Sequence, residues 1–289
     1  MPEYSFLRLL AVIYSLMKQD KPASFPQSAS MLGMVSGFCP AGIAGCGPVV
    51  VVKRAKGSRL HTLDGCILHD FWLDAGRLPF GHAPAFLGQI QKNHVSTGSL
   101  AGYPQPVHFR LLARLARLLP GYTLQFADRA DMAGLEPVPH ELDLTRTAFT
   151  DSSRLLPENE HPPRIRLNGA LGLDVIASRT GLEVGWYWPD AILTARALGL
   201  LTRMLGPHAP WASCAERADR FARSMGTAVR ERRSASVRIV MDEQLRASLL
   251  AEGLYAGGDG WIYFCTEHDL RTVDRLSRTL LHLKETGIS

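Results

Sequence analysis

Lysine is the residue whose distribution most restricts the chemistry open to this chain. Only six occur (Lys18, Lys21, Lys53, Lys56, Lys92 and Lys284), against 26 arginines, and none stands between Lys92 and Lys284. A lysine amine can become a nucleophile and condense with a carbonyl. A guanidinium stays protonated and can do neither. The histidines offer acid–base chemistry instead. His61, His69 and His82 lie near Asp64 and Asp70 in sequence, and each is open to two readings: half of a His/Asp pair, or an ordinary strand or loop residue. No Ser/His/Asp or Cys/His set has the local context of a nucleophilic triad. Cys39, Cys46, Cys66, Cys214 and Cys265 are odd in number and scattered. They match neither a disulfide framework nor a compact zinc pattern, and no metal site is expected. Such thiols suit a reducing, cytoplasmic setting.

The elements that would position these groups can be read from periodicity. The chain has 289 residues, 46% of them hydrophobic and 20% charged, enough for a buried core and unlike a disordered chain. Residues 6–17 suit a short amphipathic helix, too short to span a bilayer and lacking a cleavage signal. Residues 22–48, rich in Pro, Gly and Ser, read as a loop. Residues 48–53 read as a strand. Residues 59–63 and 66–71 read as a hairpin, with Asp64-Gly65 supplying positive φ angles. Residues 85–94 and 107–119 read as helices, the second with an apolar leucine face opposite Arg110, Arg114 and Arg117. Residues 123–126 read as a short strand and 127–164, rich in prolines and acids, as surface loops. Residues 171–177 read as a strand and 189–205 as a helix. A helix–strand–helix–strand–helix block closes the chain. Ser213 to Glu216 reads as a capping box opening its first helix, and Thr266 to Asp269 as a similar start to its last. The net charge of +5 and pI of about 9.1 permit anion contact without requiring it. The arginine stripe reads as a solvated face, so a basic nucleic-acid-binding module ranks low.

The stretch PVVVVKRAKGSRLHTLDGCILHDFWLDAGRLPFGHAPAF carries motifs in a recognisable order. Lys53-Arg54-Ala55-Lys56-Gly57, Leu63-Asp64-Gly65 and Gly81-His82-Ala83-Pro84 follow one another as a basic Gly turn, an Asp-Gly hairpin and a G-H-x-x-P loop. Together with Ser96-Thr97-Gly98 and the C-terminal block, they resemble the class III, fold-type I pyridoxal-phosphate aminotransferases, most of all their glutamate-1-semialdehyde aminomutase branch. The resemblance covers about residues 1–126 and 190–289. It implies an α/β fold in which the small domain is kept and the cofactor domain mostly lost. The implied division is 1–105 as the N-terminal part of the small domain, 106–212 as a truncated large-domain remnant and 213–289 as a C-terminal α/β subdomain.

The resemblance also implies where the family's chemistry should reside, and there the sequence departs from it. The phosphate loop, S-G-T/S-E-A in the family, reads Ala127-Asp128-Arg129-Ala130-Asp131, and added carboxylates would repel a phosphate. The aromatic Y-H-G segment has no counterpart. Two registers remain open for the Schiff-base lysine. One aligns residues 164–175 with the G-K-x-x-G-G-G-L-P-V segment and puts Arg166 near the lysine position. The other aligns Asp174-Val175 with the cofactor-binding D-E-V and puts Arg196 there, making Asp174 a weak cofactor candidate. The arginine expected to hold a substrate carboxylate corresponds to Ser36, and the family's G-S-W-G reads Leu73-Asp74-Ala75-Gly76. Pyridoxal phosphate is thus implied by resemblance only, and no cofactor is expected to bind.

These residues lead to an expectation of a catalytically inactive relative acting by association, as a homo-oligomer or with a full-length aminotransferase-like partner. An enzyme of different activity on the same scaffold is the alternative. Loss of the cofactor domain should uncover apolar surface, with the helix at 107–119 and the cluster Trp186-Tyr187-Trp188 as the exposed faces.

Overall fold

The computed structural model describes residues 25–35, 50–96, 102–127, 140–143, 162–168, 173–181, 187–206 and 211–286. In chain order these form α1 (Pro26–Val35), β1 (Val52–Lys56), β2 (Arg59–Thr62), β3 (Ile67–Asp70), α2 (Ala85–Ser96), α3 (Pro106–Ala116), β4 (Thr123–Phe126), β5 (His140–Asp143), β6 (Arg164–Asn168) and β7 (Val175–Ser178). They continue with α4 (Ala191–Met204), α5 (Trp211–Met225), β8 (Val229–Arg233), β9 (Ser236–Ile239), α6 (Glu243–Ala251), β10 (Leu254–Tyr255), β11 (Trp261–Tyr263) and α7 (Leu270–Glu285).

The two ends of the chain build one body. β1, β2 and β3 are antiparallel neighbours, and β10 adds in parallel to β3. β11, β9 and β8 form a second, antiparallel sheet. Their shared core joins Phe71 to Phe221, Phe264 and Leu276, all fully buried. Gly65, at φ 82°, makes the turn between β2 and β3. Asp64 is not left-handed, and the expected pair of positive φ angles reduces to this one glycine. The Asp64 carboxylate instead accepts the Gln27 N–H at 2.6 Å and the Ser28 hydroxyl, satisfying donors at the start of α1. α1 therefore occupies part of the expected 22–48 loop. Its sequence, PQSASMLGMV, has little periodicity, and a cap supplied from 36 residues away is invisible to local reading.

The middle of the chain carries a sheet of its own, in the order β4–β7–β6–β5. β7 runs antiparallel to β4 and β6, and β5 runs parallel to β6. β5 and the first residue of β6 fall where surface loops were expected. β6 alternates Arg164, Arg166 with the fully buried Ile165 and Leu167, a two-residue period that the surrounding prolines obscured. α3 and α4 cover this sheet. Leu111 and Leu115 of α3 are fully buried against Phe126, Val175 and Leu201. The apolar face expected to be exposed is thus core. Trp188 is half-buried against the same cluster, while Trp186 lies outside the described residues.

The C-terminal reading needs smaller corrections. α5 starts at Trp211, which puts Ser213 inside the helix, and it ends before β8 rather than running on to residue 230. The cap of α7 is Asp269, whose carboxylate accepts the Thr272 N–H at 2.6 Å. Asp269→Ala is expected to lower unfolding stability by about 1 kcal/mol, the usual worth of such a cap. Urea unfolding checks this, and an unchanged midpoint would count against the cap.

Candidate functional site

Arg166, Asp174 and Glu141 come together on the middle sheet. The Arg166 Nε donates to Asp174 Oδ1 at 2.9 Å, with Nη2 2.8 Å from the same oxygen, and Nη1 donates to Glu141 Oε1 at 2.8 Å. The neighbouring carboxylates, Asp174 foremost, raise the guanidinium further above its already high range. The Ala127 N–H, the first of the phosphate-loop counterpart, donates to the Asp174 backbone oxygen at 3.1 Å. Asp128 to Asp131 and Ser36 lie outside the described residues.

Arg196 is elsewhere. It sits half-buried in the middle of α4, lining a cavity with the Gly81–Pro84 loop and α2. The two registers thus send their candidate residues to different places, and the structure brings Asp174 to Arg166.

His82 and Asp70 form the one pair among the sequence-read histidines. His82 Nε2 lies 2.7 Å from Asp70 Oδ2, and Asp70 is only 2% exposed. The other Asp70 oxygen accepts the N–H groups of Trp72 at 2.8 Å and Leu73 at 3.0 Å. With its carboxylate so engaged, Asp70 fixes the imidazole ring and the loop that carries it. Gly81 makes this approach possible: its φ is 70°, and an added Cβ would lie 2.5 Å from the Gly57 carbonyl oxygen. His61 is an ordinary residue of β2. His69 is in β3, and burial lowers its pKa.

Two histidines missed by the sequence reading hold the frame together. His268, fully buried, accepts the Cys265 N–H at Nδ1 (3.1 Å), donates from Nε2 to the Asp70 carbonyl (2.9 Å) and stacks on Phe71. His108, also fully buried, accepts the Gln105 N–H at Nδ1 (2.8 Å) and donates from Nε2 to the Pro189 carbonyl (2.8 Å). Their Nε2 partners are 198 and 81 residues away, so local pattern held no signal for those bonds, whereas the Nδ1 partners lie three residues back in the chain. Burial pushes the His268 pKa down to about 4 from 6.5. The unfolded chain therefore binds more protons than the folded one between these values, and stability should fall as pH drops through that window. Urea midpoints at pH 5 and pH 7 test this. The acid loss should be smaller in His268→Gln, and an equal loss in both would assign it to other groups.

No family profile matches the chain. Two curated relatives do. Glutamate-1-semialdehyde 2,1-aminomutase of Methanopyrus kandleri is 31% identical over 103 residues, 33% of this chain and 24% of the relative. The Sulfolobus acidocaldarius enzyme of the same name is 30% identical over 106 residues, again 24% of its length. Each match thus spans about a quarter of the relative. Among solved structures, a glutamate-1-semialdehyde aminomutase from Pseudomonas aeruginosa superposes with a TM-score of 0.72 at 13% identity, covering 96% of this chain and 98% of that one. A β-phenylalanine aminotransferase from Variovorax paradoxus gives 0.72 at 11% identity, covering 91% and 95%. The fold is that of the pyridoxal-phosphate-dependent aminotransferases. The sequence resemblance to the aminomutase branch is shown as well, in a shortened form.

One solved neighbour is a transaminase with pyridoxal phosphate bound. The middle sheet has no lysine, Asp174 is engaged by Arg166, and the Ala127 N–H is bonded within the chain. Among the described residues no cluster of three His, Cys, Asp or Glu could hold a metal ion, and no helix is long and apolar enough to cross a membrane.

Proposed function

We propose that this chain is a catalytically silent, divergent relative of the aminomutases that works in the cytoplasm by association, with a second copy or with a full-length aminotransferase-like protein. The observation that carries the loss of chemistry is the Asp174–Arg166–Glu141 arrangement on a sheet without lysine. An arginine held between two carboxylates is a structural ion-pair group, not a nucleophile. Association is supported by apolar groups left outside the core where α3 and α4 begin: Tyr103, Phe109, Tyr187 and Leu193 are 65%, 55%, 41% and 42% exposed. The Phe109 and Trp188 rings are 5.4 Å apart, which sets these two aromatic groups side by side. Such patches mark association sites more often than chance.

Light scattering over a concentration series tests the association. A species larger than a monomer is expected, and Phe109→Asp should shift it toward monomer without lowering the melting temperature. A monodisperse monomer at about tens of micromolar, where weak interfaces still populate, would remove the support for association. A different activity on the same scaffold is the second reading, favoured by the Asp70–His82 pair beside a cavity.

A further inference from the structure

A cavity of about 510 Å³ lies between the loop at residues 74–84, α2 and α4. Its volume falls in the range of small-molecule sites. Its lining is mixed in a particular way. Leu78, Leu87 and Leu200 give it an apolar wall, while Arg77, His82 and Arg196 bring three nitrogen-rich side chains to it. Arg196 is half-buried and forms no ion pair among the described residues. Arg77 has only a loose contact with Asp74, at 3.6 Å, both about half exposed. A guanidinium left without a counter-ion beside an apolar wall favours an anion there, because lower polarity strengthens the attraction.

His82 adds a fixed polar atom. Its Nε2 faces Asp70, which already accepts two backbone N–H groups. The Nε2 proton is thus donated to the carboxylate, which leaves Nδ1 as an acceptor, so the attraction for an anion rests on the two arginines and not on this ring. The rim also stores strain. Asp74 and Ala83, which line it, have φ of 53° and 46°. Non-glycine residues in the left-handed region are strained and collect at ligand clamps.

A second cavity, about 480 Å³ beside Trp72 and Tyr255, has its Arg246 already paired with Glu243. We propose that the first cavity binds a small organic carboxylate, with its apolar body against Leu87 and Leu200 and its carboxylate between Arg196 and Arg77. The shape of a carboxylate matches a guanidinium fork, and the apolar wall favours an organic anion over inorganic phosphate. This inference does not depend on whether the chain associates.

The test is a binding titration of the full chain with benzoate and hexanoate, with benzamide as the uncharged analogue and inorganic phosphate as the bare anion. Saturable binding of both carboxylates at millimolar concentration or below is expected, with benzamide and phosphate at least tenfold weaker (about 1.4 kcal/mol). Arg196→Gln should weaken benzoate at least tenfold, and Arg230→Gln, an exposed arginine of β8, should not. If Arg196→Gln lowers the melting temperature, Arg77→Gln, on a half-exposed side chain, supplies the same comparison. Three results would overturn the proposal: no saturable carboxylate binding, phosphate binding as tightly as benzoate, or affinity unmoved by both arginine substitutions.

Discussion

Leu111→Asp is expected to unfold the middle of the chain rather than dissolve a contact between chains. Leu111 is fully buried on α3 and packs in the cluster that includes Phe126, Ile165, Val175 and Leu201. The substitution removes a large apolar side chain and places a carboxylate among buried apolar groups. Loss of a buried leucine alone costs about 2–5 kcal/mol, and an unpaired buried charge adds several more. Total stabilities of domains lie near 5–15 kcal/mol, so the folded state should not survive. Phe109, two residues earlier, is 55% exposed and offers the control. Phe109→Asp should keep the circular-dichroism spectrum and melting temperature of the parent, and Leu111→Asp should lose both the α3 helix signal and cooperative melting. A folded Leu111→Asp protein with an unchanged midpoint would place this leucine outside the core.

The contrast between these neighbours shows what the sequence could and could not disclose. The amphipathic stripe of α3 was legible, as were the β2–β3 hairpin and the last helix. What covers the stripe was not. Of its partners, β4 and β7 were read as short strands, but β6 and the pairing of the three into one sheet were not, because prolines and acids fill the sequence between them. With those strands not joined into a sheet, the leucines had no identified surface to pack against. β5, HELD, contributes one buried leucine and no periodicity long enough to notice. The candidate site divides in the same way. The missing lysine and the Asp64-Gly65 and Gly81-His82 motifs could be read directly. Asp174 meets Arg166 across eight residues and Asp70 meets His82 across twelve, through turns that side-chain periodicity does not report, and only Arg196 reaches its cavity through contact with a distant segment.

The second large effect concerns catalysis. Purified protein supplied with pyridoxal phosphate should show no transaminase turnover and no conversion of glutamate-1-semialdehyde above background. An imine requires a free amine, and the middle sheet offers none. Arg166→Lys alone should not restore activity. A lysine there would still face Asp174 and Glu141, and the loop beginning at Ala127 would still carry carboxylates in place of the family's small residues. A rate in Arg166→Lys well above that of the parent would show that the cofactor site is otherwise intact.

Borohydride reduction in the presence of a small excess of pyridoxal phosphate, followed by intact mass and peptide mapping, tests the central claim most directly. The lysines of the described residues are Lys53, Lys56 and Lys92, all exposed, and Lys284 near the end of α7, half-exposed. The expected result is an unmodified protein, or sparse addition spread over such surface amines. Stoichiometric, borohydride-stable addition of one pyridoxyl group to a single lysine, displaced by a competing amino acid, would contradict it.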